Sequence, residues 1–135
     1  MEVKPYEGLG ALRFDVSRSK VRQSLGPGFK SFRKTRLDET LTDAYSELGL
    51  HLYYDKTDSL EFIEAFRPCM PIFRGIELLG LRESVVDALQ GAGVGLTRRE
   101  SDADFFDDFG FVLYSPSDEV EGVSVFKRGY YDSEA

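Results

Sequence analysis

Four stretches of the chain alternate apolar and polar residues as half-buried strands do: "GLHLYYD", "SLEFIEAF", "FGFVLYS" and "EVEGVSVF". The first two are joined by "DKTD" and the last two by "PSDE". Joints this short and polar suit hairpins, which makes the joined strands antiparallel neighbours. Shorter strand-like pieces, "ALRF" and "GIELL", stand well upstream of each pair.

Between these pieces the apolar spacing changes to that of helices. In "VSRSKVRQSLG", Val21 and Leu25 lie four apart on one helical face. Ser17 suits the N-cap, where its hydroxyl can accept from a free backbone N–H. Val16 and Val21 flank it at the staple positions, and Gly26 suits the left-handed C-terminal residue. "GLRESVVDALQGAG" keeps the stripe Leu81, Val85 and Leu89 and closes on Gly91, with Leu81 where the Ser cap would stand. Each helix is followed by a loop with a weak strand, "GFKSFRKT" or "GVGLTRRE". In "RLDETLTDAYSELG", Leu37, Leu41, Tyr45 and Leu48 then recur at helical spacing up to Gly49, which predicts a further helix. "SDADFFDDFG" is shorter and predicts at most one turn.

The order of these pieces recurs. At an offset of 61, Asp43, Tyr45, Glu47, Gly49, Leu52 and Tyr53 fall on Asp104, Phe106, Asp108, Gly110, Leu113 and Tyr114. Offsets of 64 and 60 align the flanking segments in the same order. The sequence therefore predicts one domain over residues 1–135, built from two repeats at about 8–66 and 73–130. Pro68 and Pro71 punctuate the join. The expected class is α+β: two tandem copies of a helix-plus-antiparallel-sheet unit, with the helices packed on one face of the sheet.

Side-chain alternation then sorts the strand residues. Leu50, Leu52, Ile63, Ala65, Phe111, Leu113, Val123 and Val125 point to the helix-covered face. The opposite face carries His51, Tyr53, Phe62, Glu64 and Phe66, with Val112, Tyr114, Ser124 and Phe126. Left open, such a face resembles the centre of a protein interface, where aromatic residues gather. The alternatives are a cover supplied by the other repeat, by a loop or by a second copy.

Charge narrows the partner. A net charge of −7, from 24 acidic and 17 basic residues, disfavours nucleic acid, whose recognition needs basic surface. It disfavours an anionic membrane surface equally. It suits a neutral or basic protein, with Asp104, Asp107 and Asp108 as a steering rim. Cys69 is the one cysteine, so no internal disulfide forms, and the "MEVKPYEGLG" start has no signal-peptide pattern. A cytoplasmic location is expected.

Chemical motifs add little. His51 is the one histidine, and its counterpart in the second repeat is Val112. Asp102, Asp104, Asp107 and Asp108 miss the spacing of a calcium loop, because Phe106 takes its fifth position. "GAGVGL" follows a helix rather than a strand, contrary to dinucleotide sites. No cofactor and no catalytic residue is indicated.

The unit spelled by "LRFDVSRSKVRQSLG" and "GLHLYYDKTDSLEFIEAF", used twice, resembles the beta-lactamase inhibitor protein fold. Used once, it resembles the SmpA/OmlA (BamE) lipoprotein domain. The resemblance covers nearly the whole chain and implies a tandem repeat whose sheet clamps a partner protein. Those relatives are exported, whereas this chain lacks the paired cysteines of the inhibitor, so no family site residue is carried over. A small acidic binding protein also resembles bacterial immunity-type proteins that neutralise a toxin. The function expected is a non-enzymatic protein-binding module of inhibitor or immunity type. The alternatives are a small-molecule or enzymatic cleft around His51, or a homo-oligomeric structural protein that uses the same face on itself.

Overall fold

The computed structural model describes residues 1–33 and 40–131. In chain order the elements begin with β1 (Val3–Lys4), β2 (Gly8–Leu9), β3 (Leu12–Arg13) and α1 (Arg18–Leu25). Then come β4 (Lys30–Phe32), β5 (Thr42–Tyr45), β6 (Leu50–Tyr54) and β7 (Leu60–Ala65). After them stand β8 (Ile72–Phe73), β9 (Ile76–Glu77) and α2 (Arg82–Gly91). The last are β10 (Arg98–Arg99), β11 (Ala103–Phe106), β12 (Phe111–Tyr114) and β13 (Gly122–Phe126).

Eight strands form one antiparallel sheet in the order β10-β11-β12-β13-β7-β6-β5-β4. The hairpins β6–β7 and β12–β13 are joined at its centre by β13 and β7, with Val125 opposite Ile63 and Phe126 opposite Phe62. Two small sheets, β1-β2-β3 and β8-β9, stand apart. The expected α+β pair of helix-plus-sheet units is thereby overturned. Among the described residues the chain is mainly β, with thirteen strands in three sheets and two helices of 8 and 10 residues. What recurs is a local joint: strand, turn, left-handed glycine, strand. Leu48 N–H donates to Tyr45 O before Gly49 (φ 72), and Phe109 N–H donates to Phe106 O before Gly110 (φ 71).

The helix expected to end at Gly49 does not form over its described part. Thr42–Tyr45 is a strand held on both sides, by β4 and by β6. Leu41 and Leu48 are exposed, so the helical spacing marks no buried face; Leu37 lies outside the described residues. The first helix forms as the sequence predicts. Ser17 Oγ accepts from Lys20 N–H at 3.3 Å, and Gly26 (φ 87) donates to Arg22 O at 2.8 Å. In α2, Leu81 makes no side-chain cap, and the helix runs through Gly91 to a C-cap at Ala92.

The inner face of the large sheet supplies Leu50, Leu52, Ile63, Ala65, Phe111, Leu113, Val123 and Val125, all fully buried. They share one core with Val21 of α1, Val85, Val86 and Leu89 of α2, and Leu9, Leu12, Phe73 and Leu78 around the small sheets. Helices are thus a minor part of the layer over this face. Among the described residues no helix is long and apolar enough to cross a membrane.

Candidate functional site

The outer face of the large sheet carries the sequence's candidate interface. One cross-strand line runs through all eight strands: Lys30, Ala44, His51, Glu64, Ser124, Val112, Phe105 and Arg98. The face is neither wholly open nor wholly covered.

Near one end the chain covers it. Phe62, Ala103, Val112 and Phe126 are buried beneath Tyr6, Tyr53, Phe105 and Tyr130. The Tyr130 ring lies 4.8 Å from Phe62, and Tyr6 and Tyr131 lie 5.9 and 4.9 Å from Phe126. The Tyr6 hydroxyl donates to the Asp107 carbonyl, which ties the cover to the turn before Gly110. Phe62 and Phe126 are therefore core residues of a second, smaller cluster, not open contact residues. Tyr53 is half-buried; its hydroxyl donates to Glu64 Oε1 and its ring stands edge-on to Phe62 at 5.3 Å.

Among the described residues, the other end has no such cover. Phe32 is 38% and Tyr114 46% exposed, and His51 and Phe66 are half-buried. His51 stands edge-on between Phe32 (5.6 Å) and Phe66 (4.9 Å), with Glu64 Oε1 at 3.9 Å from Nδ1. Phe66 follows Ala65, the partner of Val123, and Gly122 is paired with Tyr114. Phe32, His51 and Phe66 thus form a stripe of rings with the carboxylate of Glu64 beside it, and Tyr114 is exposed on β12 of the same sheet face. Phe32 was not among the residues read from the sequence; the three-residue strand "KSF" that carries it is too short for a pattern.

The acidic rim divides. Asp107 and Asp108 are exposed. Asp104 is 0% exposed and no rim residue. Arg82 Nε donates to its Oδ2 at 2.9 Å and Arg99 Nε to its Oδ1 at 2.6 Å. Arg99 also pairs with Glu83. Asp43, likewise 0% exposed, is held in the same manner. Arg22 donates to both carboxylate oxygens at 2.8 Å, and Arg18 Nη1 and Ser31 Oγ donate to Oδ1 at 2.9 and 2.7 Å. Arg18 also lies 4.1 Å over the Tyr54 ring. For both acids burial pushes the carboxyl pKa up. Hydrogen bonds and charge from the arginines, with Ser31 adding to the hold on Asp43, more than reverse it, so both are held below the ordinary value. These are the anchors of the helices and edge strands, and nothing in the sequence linked each acid to its arginines.

Cys69 is buried, and burial pushes its thiol pKa up, which disfavours the thiolate a nucleophile needs. Among the described residues no group of three or more His, Cys, Asp or Glu side chains is placed to hold a metal ion. No protein-family model matches the chain, no curated protein matches it, and no solved structure matches it.

Proposed function

We propose that this protein is a non-enzymatic protein-binding module, of inhibitor or immunity type, that engages a partner protein through this aromatic stripe and Tyr114. The observation that carries the reading is the contrast within one sheet face. The chain covers Phe62 and Phe126 with its own tyrosines, yet leaves Phe32 and Tyr114 exposed and His51 and Phe66 half-buried. Rings on a rigid sheet supply contact area at low entropic cost, and Tyr is enriched among residues that dominate binding energy. Glu64 beside the stripe, and the exposed Glu47, Asp102 and Glu121 near the strand ends, favour a basic partner surface. Such a module would work by occupying its partner rather than by chemistry.

Site-specific photo-crosslinking in the native host tests this. A crosslinker at position 66 or 114 is expected to trap one discrete partner, while the same group at Lys20, on the exposed side of α1, traps none. Equal labelling from all three positions would contradict the reading. A crosslinked species of twice the chain's own mass would replace the foreign partner by a second copy.

A further inference from the structure

At the covered end of the outer face, the structure forms a pocket that the proposed interface does not use. Its volume is about 450 Å³, and its lining includes Tyr6, Arg98, Phe105, Phe126, Arg128 and Tyr130. That falls within the size range of small-molecule sites, which combine apolar walls with a few polar groups.

The two arginines set its chemistry. The Arg98 guanidinium lies over Phe105, 3.9 Å from the ring centre, and that of Arg128 over Tyr6 at 4.2 Å. A guanidinium stacked on a ring keeps its N–H edge available for a planar anion, which it can bind through two parallel hydrogen bonds. Arg98 has one acidic neighbour, Glu100, at 3.5 Å and on the exposed surface. Among the described residues no carboxylate lies within ion-pair distance of Arg128. Asp107 also lines the pocket, but its Oδ2 already accepts from Thr97 Oγ1 at 2.9 Å. The four arginines around Asp43 and Asp104 are, by contrast, committed to buried carboxylates.

We infer that this pocket binds a small molecule combining an aromatic ring with a carboxylate or phosphate. The guanidiniums already cover Phe105 and Tyr6, so the ring would pack against Tyr130 and Tyr131 of the lining, and the anion would lie between the two guanidiniums. The chain's net charge of −7 does not prevent this. At physiological salt, exposed charges farther away than about 8 Å are largely screened, whereas the two guanidiniums touch the ligand directly.

Phenyl phosphate is the probe, with cyclohexyl phosphate and inorganic phosphate as comparisons, read by backbone amide NMR on the full chain. Phenyl phosphate should give saturable shifts confined to the pocket residues, with a dissociation constant of about 1 mM or tighter. Inorganic phosphate and cyclohexyl phosphate should each bind about tenfold or more weaker, since they lack the ring contacts. Arg98→Ala and Arg128→Ala, both at exposed positions, should each weaken phenyl phosphate about tenfold or more with thermal unfolding unchanged. No saturable shift with phenyl phosphate would overturn the assignment. So would equal binding of inorganic phosphate, or full affinity in both arginine variants.

Discussion

Replacing Asp43 with alanine is expected to lower the unfolding free energy by about 3–5 kcal/mol, the usual cost of breaking a buried ion pair from one side. The carboxylate has no exposed surface and accepts from Arg18, Arg22 and Ser31. Its loss leaves the buried Arg18 guanidinium and the partly exposed Arg22 without their shared carboxylate. Arg18 retains Asp58 and the Leu41 carbonyl, but Arg22 retains only Ser31 among these partners. Asp104→Ala should cost less. Arg82 keeps the carbonyls of Ser101 and Glu100, and the half-exposed Arg99 keeps Glu83. Thermal unfolding should show both variants with lower midpoints, Asp43→Ala by on the order of 10 °C.

The same pairs make stability depend on pH with a definite sign. Both carboxyl pKa values are depressed in the folded state, so their contribution is fully present above the unfolded value, near about 4. It is lost as the pH falls through the lower folded values. The penalty of Asp104→Asn, measured by urea unfolding, should therefore shrink between pH 7 and pH 3. A penalty that grows on acidification would reverse the assigned direction.

Gly49→Ala should be comparably severe. The residue sits at φ 72, a conformation that costs an ordinary residue about 1–3 kcal/mol. An added Cβ would also lie 2.0 Å from the Phe66 carbonyl oxygen and 2.6 Å from the Cys69 nitrogen. Both are backbone atoms, fixed by the Cys69 N–H donating to Phe66 O at 2.8 Å. Forcing them apart adds about 1–3 kcal/mol, for a total of about 2–6 kcal/mol. Gly110 has nearly the same φ, but its Cβ would meet the Tyr6 ring at 3.1 Å, and a side chain can move where backbone cannot. Gly110→Ala should cost roughly the conformational term of about 1–3 kcal/mol. Urea midpoints at unchanged slope would measure both. Equal penalties would mean that the crowding at Gly49 relaxes freely.

What the sequence revealed and what it hid have physical reasons. The alternation of Leu50, Leu52, Leu113, Val123 and Val125 reports one buried face directly, so the central strands and their hairpins were legible. So was α1, because its cap and closing glycine act within a few residues. The mainly β class was not legible. Among the described residues, six of the nine strands outside the two central hairpins are two residues long, too short for any period to register, and exist through their pairing partners. Thr42–Tyr45 reads as a helix locally and becomes a strand because β4 and β6 bind both of its edges. Asp104 reads as a surface acid for a similar reason. Arg82 lies 22 residues away, and only the fold brings it within 2.9 Å. The tyrosines that divide the outer face come from the two ends of the chain, at positions 6 and 130, where no local pattern points to the sheet. The stripe and Tyr114 were partly legible: alternation placed His51, Phe66 and Tyr114 on one face, while it could not show that Phe62 and Phe126 are covered.

In the proposed function, one end of the outer face serves a partner and the other serves the fold. Tyr114→Ala and Phe62→Ala separate these roles when affinity for the crosslinked partner and thermal unfolding are measured side by side. Tyr114 is 46% exposed and Phe62 is buried against Tyr53 and Tyr130. The expected result is that Tyr114→Ala weakens binding at least about tenfold while unfolding as the parent does, whereas Phe62→Ala loses stability by about 3 kcal/mol or more. A Tyr114→Ala variant that binds its partner with undiminished affinity would contradict the account.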